Sequence, residues 1–349
     1  MTRLHAGALR NYCAALFEKT GVSAADALTV ADSLVQADLR GVASHGTTRV
    51  GIYLERLQAG LVNPRPRIAT LCETPTTLLL DGDNGLGAVV GVHAMDEAIR
   101  RAHEYGTAWV GVRNSNHFGA AAYYVTRAVA ARCVGLALTN APATMALWGG
   151  KTPFLGTNPF AIGVPAARER PIVVDMATSV AARGKIILAA KKGERIAPGL
   201  AVDPEGRPTT DAQAALAGAV LPFAQHKGYG IALLIEMLSG VLAGATIAPA
   251  VGNLYDNPTG MQNLGHGFGA IRVDGLAPYE EFVGRMDVLI RQIREAPKGA
   301  GTERIYLPGE IEFELAERNG RDGIPLADPA VEELSTLGTK LGVLWPFAE

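Results

Sequence analysis

Residues 76–139 alternate strand-like and helix-like runs, and this alternation restricts the fold more than any other feature of the sequence. The strand-like runs span 76–81, 107–112 and 134–139, and the helix-like runs span 89–105 and 123–132. Such alternation indicates an α/β protein. Ligands of open α/β sheets bind just beyond the carboxyl ends of the strands, so polar residues that follow a strand are the first candidates for a functional site.

The segment 114–121, Asn-Ser-Asn-His-Phe-Gly-Ala-Ala, follows one of these strands and precedes a helix. It places His117 at a strand end, where an imidazole can exchange a proton near neutral pH. In the alternative interpretation, Asn114 or Ser115 caps the next helix and His117 only fills space. This segment alone leaves both interpretations open.

Two helices are predicted in the first forty residues. The first has an apolar stripe over 4–17, and the second begins after the N-cap Ser23 and ends near Gly41. The stiff connector 63–67, Asn-Pro-Arg-Pro-Arg, is predicted to end this helical part of the chain.

A third helix is predicted to open at Ser44 and to end at Gly60. On that helix His45 and Arg49 would lie four residues apart on one face. Such a pair suits an anionic substrate, because an arginine binds a carboxylate through two hydrogen bonds while a histidine exchanges a proton. Alternatively, Ser44 is only an N-cap and Arg49 is a surface cation.

The glycines Gly85, Gly87 and Gly91 come close to the fingerprint of a dinucleotide-binding fold. That fold places an acidic residue at the end of the next strand, whereas the next strand here ends in Arg113 and Asn114. A plain strand, turn and helix with glycines for tight packing is therefore the simpler interpretation.

Two charged residues further along the chain also lie where a ligand could bind. Asp175 follows an apolar strand at 171–175 and precedes residues that open a helix with Arg183, so it could hold a ribose or amide, or be an acidic N-cap. Lys227 starts a long apolar helix, where a cation opposes the helix dipole. Lys227 therefore either faces a ligand anion or is an ordinary surface lysine.

The rest of the chain is predicted to mix loops with a few regular elements. Loops are expected at 140–150, at 191–211 as a surface excursion, and at 249–269, which leads into a strand at 268–273. The later elements are an amphipathic helix at 279–295, a strand and turn at 304–310, and a final helix from Asp328.

Composition and charge exclude several classes of function. The formal net charge is −2 and the pI is about 6.4, without a dense basic run, so nucleic acid is not expected as a partner. The three cysteines are far apart, which predicts a reducing compartment without disulfides or a zinc or other metal site. Because the N-terminus lacks an apolar signal segment, we expect a cytoplasmic protein.

The apolar run 230–250 could be mistaken for a membrane span. Glu236 interrupts it and Pro249 ends it, whereas a span needs about 20 apolar residues. Its small residues, such as Gly240 and Gly244, favour close packing inside a core or at a subunit interface. No membrane partner is expected.

The chain carries eight short motifs in a fixed order: Ser44-His45-Gly46-x-x-Arg49, Asn114-Ser-Asn-His117-Phe-Gly119, Trp148-Gly-Gly150, Leu155-Gly-Thr-Asn-Pro-Phe160, Asp175-Met-Ala-Thr-Ser179, His226-Lys227-Gly228, Asn263-x-Gly265-His266 and Leu307-Pro-Gly-Glu310. Together they resemble the malate/L-lactate dehydrogenase family, which is distinct from the Rossmann-fold dehydrogenases. That family also contains ureidoglycolate, sulfolactate and diketogulonate dehydrogenases and reductases of cyclic imines such as piperideine-2-carboxylate.

The resemblance implies a non-Rossmann α/β fold with an N-terminal helical lobe and mixed-sheet cofactor and core lobes. Residues 1–70 would form the helical part of a substrate and dimerisation domain. Residues 71–135 would form a cofactor-contacting lobe, and residues 136–349 a core sheet with C-terminal helices that complete the first domain. A homodimer is expected on the same grounds.

The resemblance also implies reversible hydride transfer between NAD or NADP and a small 2-hydroxy or 2-oxo acid. His117 and His45 are the candidates for the proton partner, with Ser44 supporting His45 and Arg49 binding the substrate carboxylate. Further candidate substrate-binding residues are Met145, Trp148 and Arg183. The cofactor would lie against Phe118, Gly119, Ala120, Asn140, Thr157, Asp175, Met176, Ala177, Lys227, Pro308, Gly309 and Glu310.

Several functions stay open within this resemblance. The substrate could be malate, lactate, sulfolactate or ureidoglycolate. NAD competes with NADP, because Asp175 near a ribose would disfavour a 2′-phosphate whereas Arg183 or Lys185 could bind one. A reductase of cyclic imino acids is an alternative, although those enzymes tend to have His-Gly-Asp where this chain has Arg183-Gly-Lys185. A catalytically silent nicotinamide-binding protein is a third possibility.

Overall fold

The computed structural model describes residues 2–255 and 260–347, in which helices and strands alternate along most of the chain. The strands are β1 (Thr2–Leu4), β2 (Ala69–Glu73), β3 (Thr77–Gly85), β4 (Thr107–Ser115), β5 (Cys133–Thr139), β6 (Met145–Ala146), β7 (Pro153–Leu155), β8 (Phe160–Val164), β9 (Ile172–Met176), β10 (Ala201–Val202), β11 (Pro208–Thr209), β12 (Ala219–Val220), β13 (Leu264–Arg272) and β14 (Ile324–Leu326). The helices are α1 (Ala6–Glu18), α2 (Ala24–Leu39), α3 (Val50–Gln58), α4 (Gly87–Tyr105), α5 (Ala122–Ala130), α6 (Arg183–Lys192), α7 (Ala212–Ala217), α8 (His226–Ile235), α9 (Tyr279–Glu295), α10 (Glu310–Asp322) and α11 (Asp328–Leu341).

A mixed sheet of seven strands lies at the centre of the described part of the chain, in the order β2-β3-β4-β13-β5-β8-β9. Strands β3 and β4 pair in parallel, and the other neighbours in this sheet are antiparallel. A smaller sheet has the order β11-β10-β12-β6-β7. The α/β fold class predicted from the alternating runs is confirmed.

One apolar core lies against the central sheet, and another lies among the N-terminal helices. Helices α4 and α5 bury Met95 and Tyr124 against Phe268 of the central sheet. The N-terminal helices form a second core that includes Phe17 and Leu54 and reaches Leu334 of the last helix. Complete burial of an apolar side chain of this size contributes about 1.5–3 kcal/mol, so these contacts fix how the N-terminal helices lie.

The first two helices confirm the predicted ends. Helix α2 begins at the predicted N-cap, because the Ser23 side chain accepts a hydrogen bond from the Asp26 amide. Helices α4, α5 and α9 lie where the periodicity predicts them, within a few residues at each end. The three-part division at 70 and 135 remains a proposal, since the central sheet takes strands from both sides of residue 135.

The prediction of a loop at 249–269 is wrong for its last residues. Strand β13 begins at Leu264 and is an inner strand, paired with β4 on one side and β5 on the other. Glycines hid this strand in the sequence: a Cβ atom at Gly267 would lie 2.5 Å from the ring of Trp109. The glycines leave room for the ring of Trp109 to lie across the strand. Residues 256–259 of the predicted loop lie outside the described residues.

Two other predicted segments also differ from the structure. Of the strand and turn predicted at 304–310, the strand is wrong, because residues 304–307 form no regular element; the turn is present at 308–309 and leads into α10. Parts of the loop 140–150 and of the excursion 191–211 are strands of the smaller sheet. Strands of two residues are too short to show a hydrophobic period, which explains why the sequence did not reveal them.

The apolar run 230–250 is divided between α8 and a π-helical turn, Glu236–Val241. In the part of the chain that the structure describes, no helix combines the length and the hydropathy needed to cross a membrane. The Glu236 carboxylate is buried and accepts hydrogen bonds from Asn158 and from the Ala248 amide.

The glycines at 85 and 87 serve packing, as the simpler interpretation predicts. A Cβ atom at Gly87 would lie 2.2 Å from the Asn116 carbonyl oxygen and 2.4 Å from that of His117. The first turn of α4 therefore touches the backbone that carries His117. Only glycine allows this close approach.

Replacing Gly87 with alanine should destabilise the protein by about 1–3 kcal/mol, because rigid backbone atoms would have to move. Gly284→Ala is the matched control: it lies inside α9, with no described atom within 4 Å of its Cβ position. There alanine should stabilise by about 0.5–1 kcal/mol. Urea unfolding of both variants measures the difference, and equal effects at the two positions would contradict the packing role of Gly87.

Candidate active site

The Ser44 to Arg49 segment is not a helix, contrary to the prediction that the third helix opens at Ser44. It forms two 3₁₀ turns, Ala43–His45 and Thr47–Arg49, and α3 starts only at Val50. Gly46 separates the turns with an extended backbone (φ −90°, ψ −154°). His45 and Arg49 therefore do not share an α-helical face, and their relative placement depends on this glycine.

The backbone of His117 is held from two sides. Its amide donates to the side chain of Gln262, which is buried in the segment before β13. The Asn116 side chain donates to the carbonyl oxygens of Asn84 and Gly85 at the end of β3. The loop after β4 is thus fixed before any ligand binds.

The structure brings together His45, Arg49 and His117. The two imidazole rings are stacked, with centroids 5.5 Å apart and planes at 25°. The hydroxyl of Tyr53, in α3, lies 2.6 Å from His117 Nδ1. On the other ring, Ser44 Oγ lies 2.9 Å from His45 Nδ1, and Arg49 Nε donates to the Ser44 carbonyl oxygen.

Both imidazoles are held in the neutral form. Burial, and then the charge of Arg49, lower the pKa of His45 to about 4. The pKa of His117 is lowered well below its usual range by burial and then by His45 and Arg49. A neutral imidazole can accept a proton, and the neighbouring guanidinium can bind an anion, so the cluster can deprotonate an alcohol that also carries a carboxylate.

Behind this cluster lies a third histidine, His266, to which the sequence assigns no role beyond its motif. It is fully buried and stacks on Phe118 with the rings 4.8 Å apart. Its Nδ1 faces the Thr139 hydroxyl, which donates to backbone carbonyls, and its Nε2 faces Ser115 Oγ. Thr139 must therefore accept from Nδ1–H, which leaves Nε2 to accept from Ser115.

Burial lowers the pKa of His266 to about 3. The folded state disfavours protonated His266. The stability that the protein has with a neutral His266 is therefore complete above the ordinary pKa of 6.5 and is lost as the pH falls toward 3. We expect His266 to cost about 1 kcal/mol of stability for each pH unit below 6.5. Urea unfolding of the wild type and of His266→Gln at pH 7 and pH 5 isolates this slope, and parallel pH dependence in the two proteins would exclude it.

Asp175 lies at the end of β9 and caps a different helix from the one expected. Its carboxylate accepts a hydrogen bond from the Ala122 amide, at the start of α5. Removal from water raises its pKa, while this bond and the charge of Arg40 oppose the rise. The N-cap interpretation is wrong for the following helix, because α6 begins only at Arg183.

Comparison with known proteins connects this geometry to a family. The family model described as malate/L-lactate dehydrogenase matches residues 4–335, nearly the whole chain. The chain belongs to the malate/L-lactate dehydrogenase family. The resemblance seen in the eight motifs is confirmed.

Relatives and solved structures agree with this family membership. The chain is 41% identical over 328 residues to an L-sulfolactate dehydrogenase of Methanocaldococcus jannaschii, covering 94% of each chain. It is 38% identical over 343 residues to a malate dehydrogenase of Pyrococcus abyssi, covering 96% of this chain and 94% of the relative. The structure of sulfolactate dehydrogenase from M. jannaschii matches with a TM-score of 0.92 and 39% identity, covering 98% of each chain.

More distant members carry a cofactor or another substrate in their names. They include a ureidoglycolate dehydrogenase (NAD(+)) of Escherichia coli and a (2R)-3-sulfolactate dehydrogenase (NADP(+)) of Chromohalobacter salexigens, each 33% identical over more than 90% of both chains. The structure of a delta1-piperideine-2-carboxylate reductase from Pseudomonas syringae matches with a TM-score of 0.87 and 29% identity, covering 97% of this chain and all of the reductase.

Some residues that the resemblance assigns to the site are buried away from solvent. Phe118 lies in the aromatic stack between His266 and Tyr124. Asn140 is fully buried, and its side chain bonds the Gly265 amide and the Thr246 carbonyl oxygen. Met145, expected near the substrate, is fully buried in the core beside the smaller sheet. These three side chains therefore belong to the buried interior.

The turn Pro308-Gly309-Glu310 packs against β9. The Pro308 carbonyl oxygen accepts from the Val173 amide, and a Cβ atom at Gly309 would lie 2.8 Å from the Val173 carbonyl oxygen. The Glu310 carboxylate is buried and pairs with Arg294 and Arg304. The turn is therefore held within two residues of Asp175.

Other motif residues are accessible. Lys227 is exposed in the first turn of α8, and the neighbouring His226 contacts the half-exposed ring of Trp148. Arg183 starts α6 and donates to the Leu216 carbonyl oxygen. The remaining motif positions expected near the cofactor are partly exposed: Gly119, Ala120, Thr157, Met176 and Ala177.

Sequence reasoning missed Tyr53 and Gln262, which hold His117, and Asp38, which contacts the 3₁₀ turns. The position of Tyr53, four residues after Arg49, is a signal that the two could share a helix face. Gln262 gives no such signal, because its contact with His117 depends on the path of β13.

Proposed function

We propose that the protein is an NAD(P)-dependent dehydrogenase of small 2-hydroxy acids, of the malate, lactate, sulfolactate or ureidoglycolate type. The observation that carries this proposal is the stacked pair His45 and His117 beside Arg49. A 2-hydroxy acid presents a hydroxyl and a carboxylate on adjacent carbons. The cluster offers a proton acceptor next to a guanidinium whose charge acts on it, which matches that pattern.

His117 is our candidate for the proton acceptor. Its Nδ1 faces the buried Tyr53, and its amide is fixed by Gln262, so Nε2 is left to face a substrate. For Nε2 to accept the hydroxyl proton, Nδ1 carries the ring hydrogen and donates to the Tyr53 oxygen. His45 is bonded only to its exposed neighbour Ser44 among the described side chains, which makes it the less rigid base.

Arg49 would bind the substrate carboxylate and so place the hydroxyl against His117. Carboxylate binding also compensates the positive charge that lowers the pKa of both histidines. The imidazolium formed on proton transfer is thereby less disfavoured in the complex than in the free protein.

The residues present fit a nicotinamide dinucleotide. At Gly119 the backbone is left-handed (φ +80°), and no described atom lies within 4 Å of its Cβ position, so the loop after His117 leaves room beside the imidazole. Asp175 would hold a ribose hydroxyl, Lys227 a phosphate, and the exposed faces of Trp148 and Met176 a ring. When bound, the nicotinamide supplies the hydride acceptor.

A substrate screen tests this function. Malate, lactate, sulfolactate and ureidoglycolate are offered with NAD and NADP, and the nicotinamide absorbance is followed. Turnover of at least one acid supports the proposal, and the absence of turnover with every 2-hydroxy and 2-oxo acid excludes it. Reduction of a cyclic imino acid with NADPH instead would favour the reductase named among the structural relatives. Cofactor binding without any turnover would indicate a silent binding protein.

We propose further that the protein is a homodimer. Apolar side chains at the end of α8, in the π-helical turn and directly after it are exposed, among them Leu234, Met237, Val241 (58%) and Leu242 (63%). An apolar patch of this kind on a soluble protein marks an interface. The run of small residues that suggested close packing lies on the same segment.

Replacing Leu242 with glutamate should therefore lower the mass found by sedimentation from twice 36.5 kDa toward the monomer. Leu276→Glu is the matched control, because Leu276 is 84% exposed on a different turn. A monomeric wild type would exclude the dimer. Equal sedimentation of the wild type and both variants as dimers would assign the interface to another surface.

A further inference from the structure

Asp38, near the end of α2, lies beneath the two 3₁₀ turns that carry His45 and Arg49. Its Oδ2 accepts hydrogen bonds from both the amide and the hydroxyl of Thr47, at 2.8 and 2.7 Å. Both residues are buried, with Asp38 4% and Thr47 1% exposed. Thr47 is the first residue of the turn that ends at Arg49.

The second carboxylate oxygen of Asp38 contacts Gly46, the residue between the two turns. A Cβ atom at Gly46 would lie 1.8 Å from Asp38 Oδ1, so the carboxylate fits against the Gly46 backbone and excludes any side chain there. Among the described residues this oxygen has no hydrogen-bond partner. Asp38 therefore touches the glycine that ends the first turn and the threonine that starts the second.

We propose that Asp38 is a positioning residue that sets the separation of His45 and Arg49 by holding the joint between the two turns, Gly46 and Thr47. This inference rests on the proposed function for its effect on turnover. The two active groups are four residues apart in the chain, and the joint lies between them. Two further hydrogen bonds cross the joint at exposed positions: Arg49 Nε donates to the Ser44 carbonyl oxygen, and the Thr48 hydroxyl donates to the Ala43 carbonyl oxygen. A shift of the joint would move the carboxylate-binding group relative to the imidazole.

The carboxylate is costly to bury, and burial raises its pKa to about 6. A neutral side chain of similar size would cost less in the folded state if only packing were needed. The carboxylate adds two directed hydrogen bonds and one close backbone contact. They place the turns more firmly than apolar packing does.

The first experiment is a double-mutant cycle on the joint. We expect Asp38→Ala to lower kcat/KM for the 2-hydroxy acid by about 100-fold, the loss typical of a displacement of about 1 Å in a reacting group. The affinity for NAD(P)H, measured by fluorescence, should stay within a factor of two. Gly46→Ala should cost as much in the wild-type background and little in Asp38→Ala, because the atom that its methyl group meets is gone. Independent costs that multiply would overturn the proposal.

The second experiment measures how accessible His45 is, and so tests the arrangement of the joint without enzymatic turnover. Diethyl pyrocarbonate modifies accessible imidazoles, and mass spectrometry of peptides gives the rate at His45 relative to the exposed His103. Asp38→Ala should raise this ratio several-fold, and Asp32→Asn, on the same helix and paired with Arg10, should leave it unchanged. If the wild type turns over no 2-hydroxy acid, the proposed function fails while this ratio still tests Asp38.

Variants of Thr47 keep the test independent of how well Asp38→Ala folds. Thr47→Val keeps the shape and removes the hydroxyl donor, whereas Thr47→Ser keeps the donor. We expect a lower kcat/KM and a higher His45 ratio for valine, and rescue by serine. The same kcat/KM and the same His45 ratio for valine, serine and the wild type would show that the joint is held by packing alone.

Discussion

Replacing His117 with glutamine should lower kcat for alcohol oxidation by about 10²–10⁴-fold, the usual contribution of a positioned general base. Glutamine can keep a hydrogen bond to Tyr53 and so preserves the arrangement of the loop, but it cannot take a proton from the substrate. The affinity for NAD(P)H should change little, because the proposed cofactor contacts lie on other residues. Steady-state rates in both directions, with cofactor titration by fluorescence, give the measurement.

His45→Gln is the matched comparison, since both imidazoles are neutral and stacked. If His117 is the base, the loss in kcat for His45→Gln should be the smaller one, because His45 then only contacts the substrate. A larger loss at His45 would exchange the two roles. Tyr53→Phe should fall between the two variants, because it frees His117 Nδ1 without removing the imidazole.

The position of His117 at a strand end could be predicted from the sequence, but the residues that hold it could not. A strand followed by Asn-Ser-Asn-His marks His117 because strand ends are where α/β sheets bind ligands. The contact with Tyr53 joins residues 64 positions apart, and the contact with Gln262 joins residues 145 positions apart. Pairing of β13 with β4 creates the second contact, and the glycines of β13 conceal that strand from any pattern of hydrophobic residues.

The joint at Gly46 shows a second limit of pattern reading. Helical spacing predicted that His45 and Arg49 are neighbours, and the charge of Arg49 does lower the pKa of His45, although the segment is two 3₁₀ turns and not the predicted helix. Six residues are too few for an apolar period to distinguish a helix from two 3₁₀ turns. The buried carboxylate of Asp38 favours the two turns, because it binds Thr47 and excludes a side chain at position 46.

Replacing Arg49 with methionine should lower kcat/KM for the 2-hydroxy acid by about 10²–10³-fold, which corresponds to about 3–4 kcal/mol of lost carboxylate binding. Most of the loss should appear in KM, since the carboxylate is bound in the ground state and in the transition state alike. Arg49→Lys keeps the charge but not the paired donors and should recover part of the affinity. An unchanged KM in Arg49→Met would place the carboxylate elsewhere.

The same variant should also move the acidic limb of the pH profile. Arg49 is one of the charges that lower the pKa of His45 and His117, after burial. A nearby cation disfavours the imidazolium, so its removal raises both pKa values and protonates the base at a higher pH. In Arg49→Met, kcat/KM for oxidation should therefore start to fall at a higher pH than in the wild type. A profile that keeps its acidic limb while KM rises would mean that Arg49 binds the substrate without sharing the electrostatics of the proton acceptor.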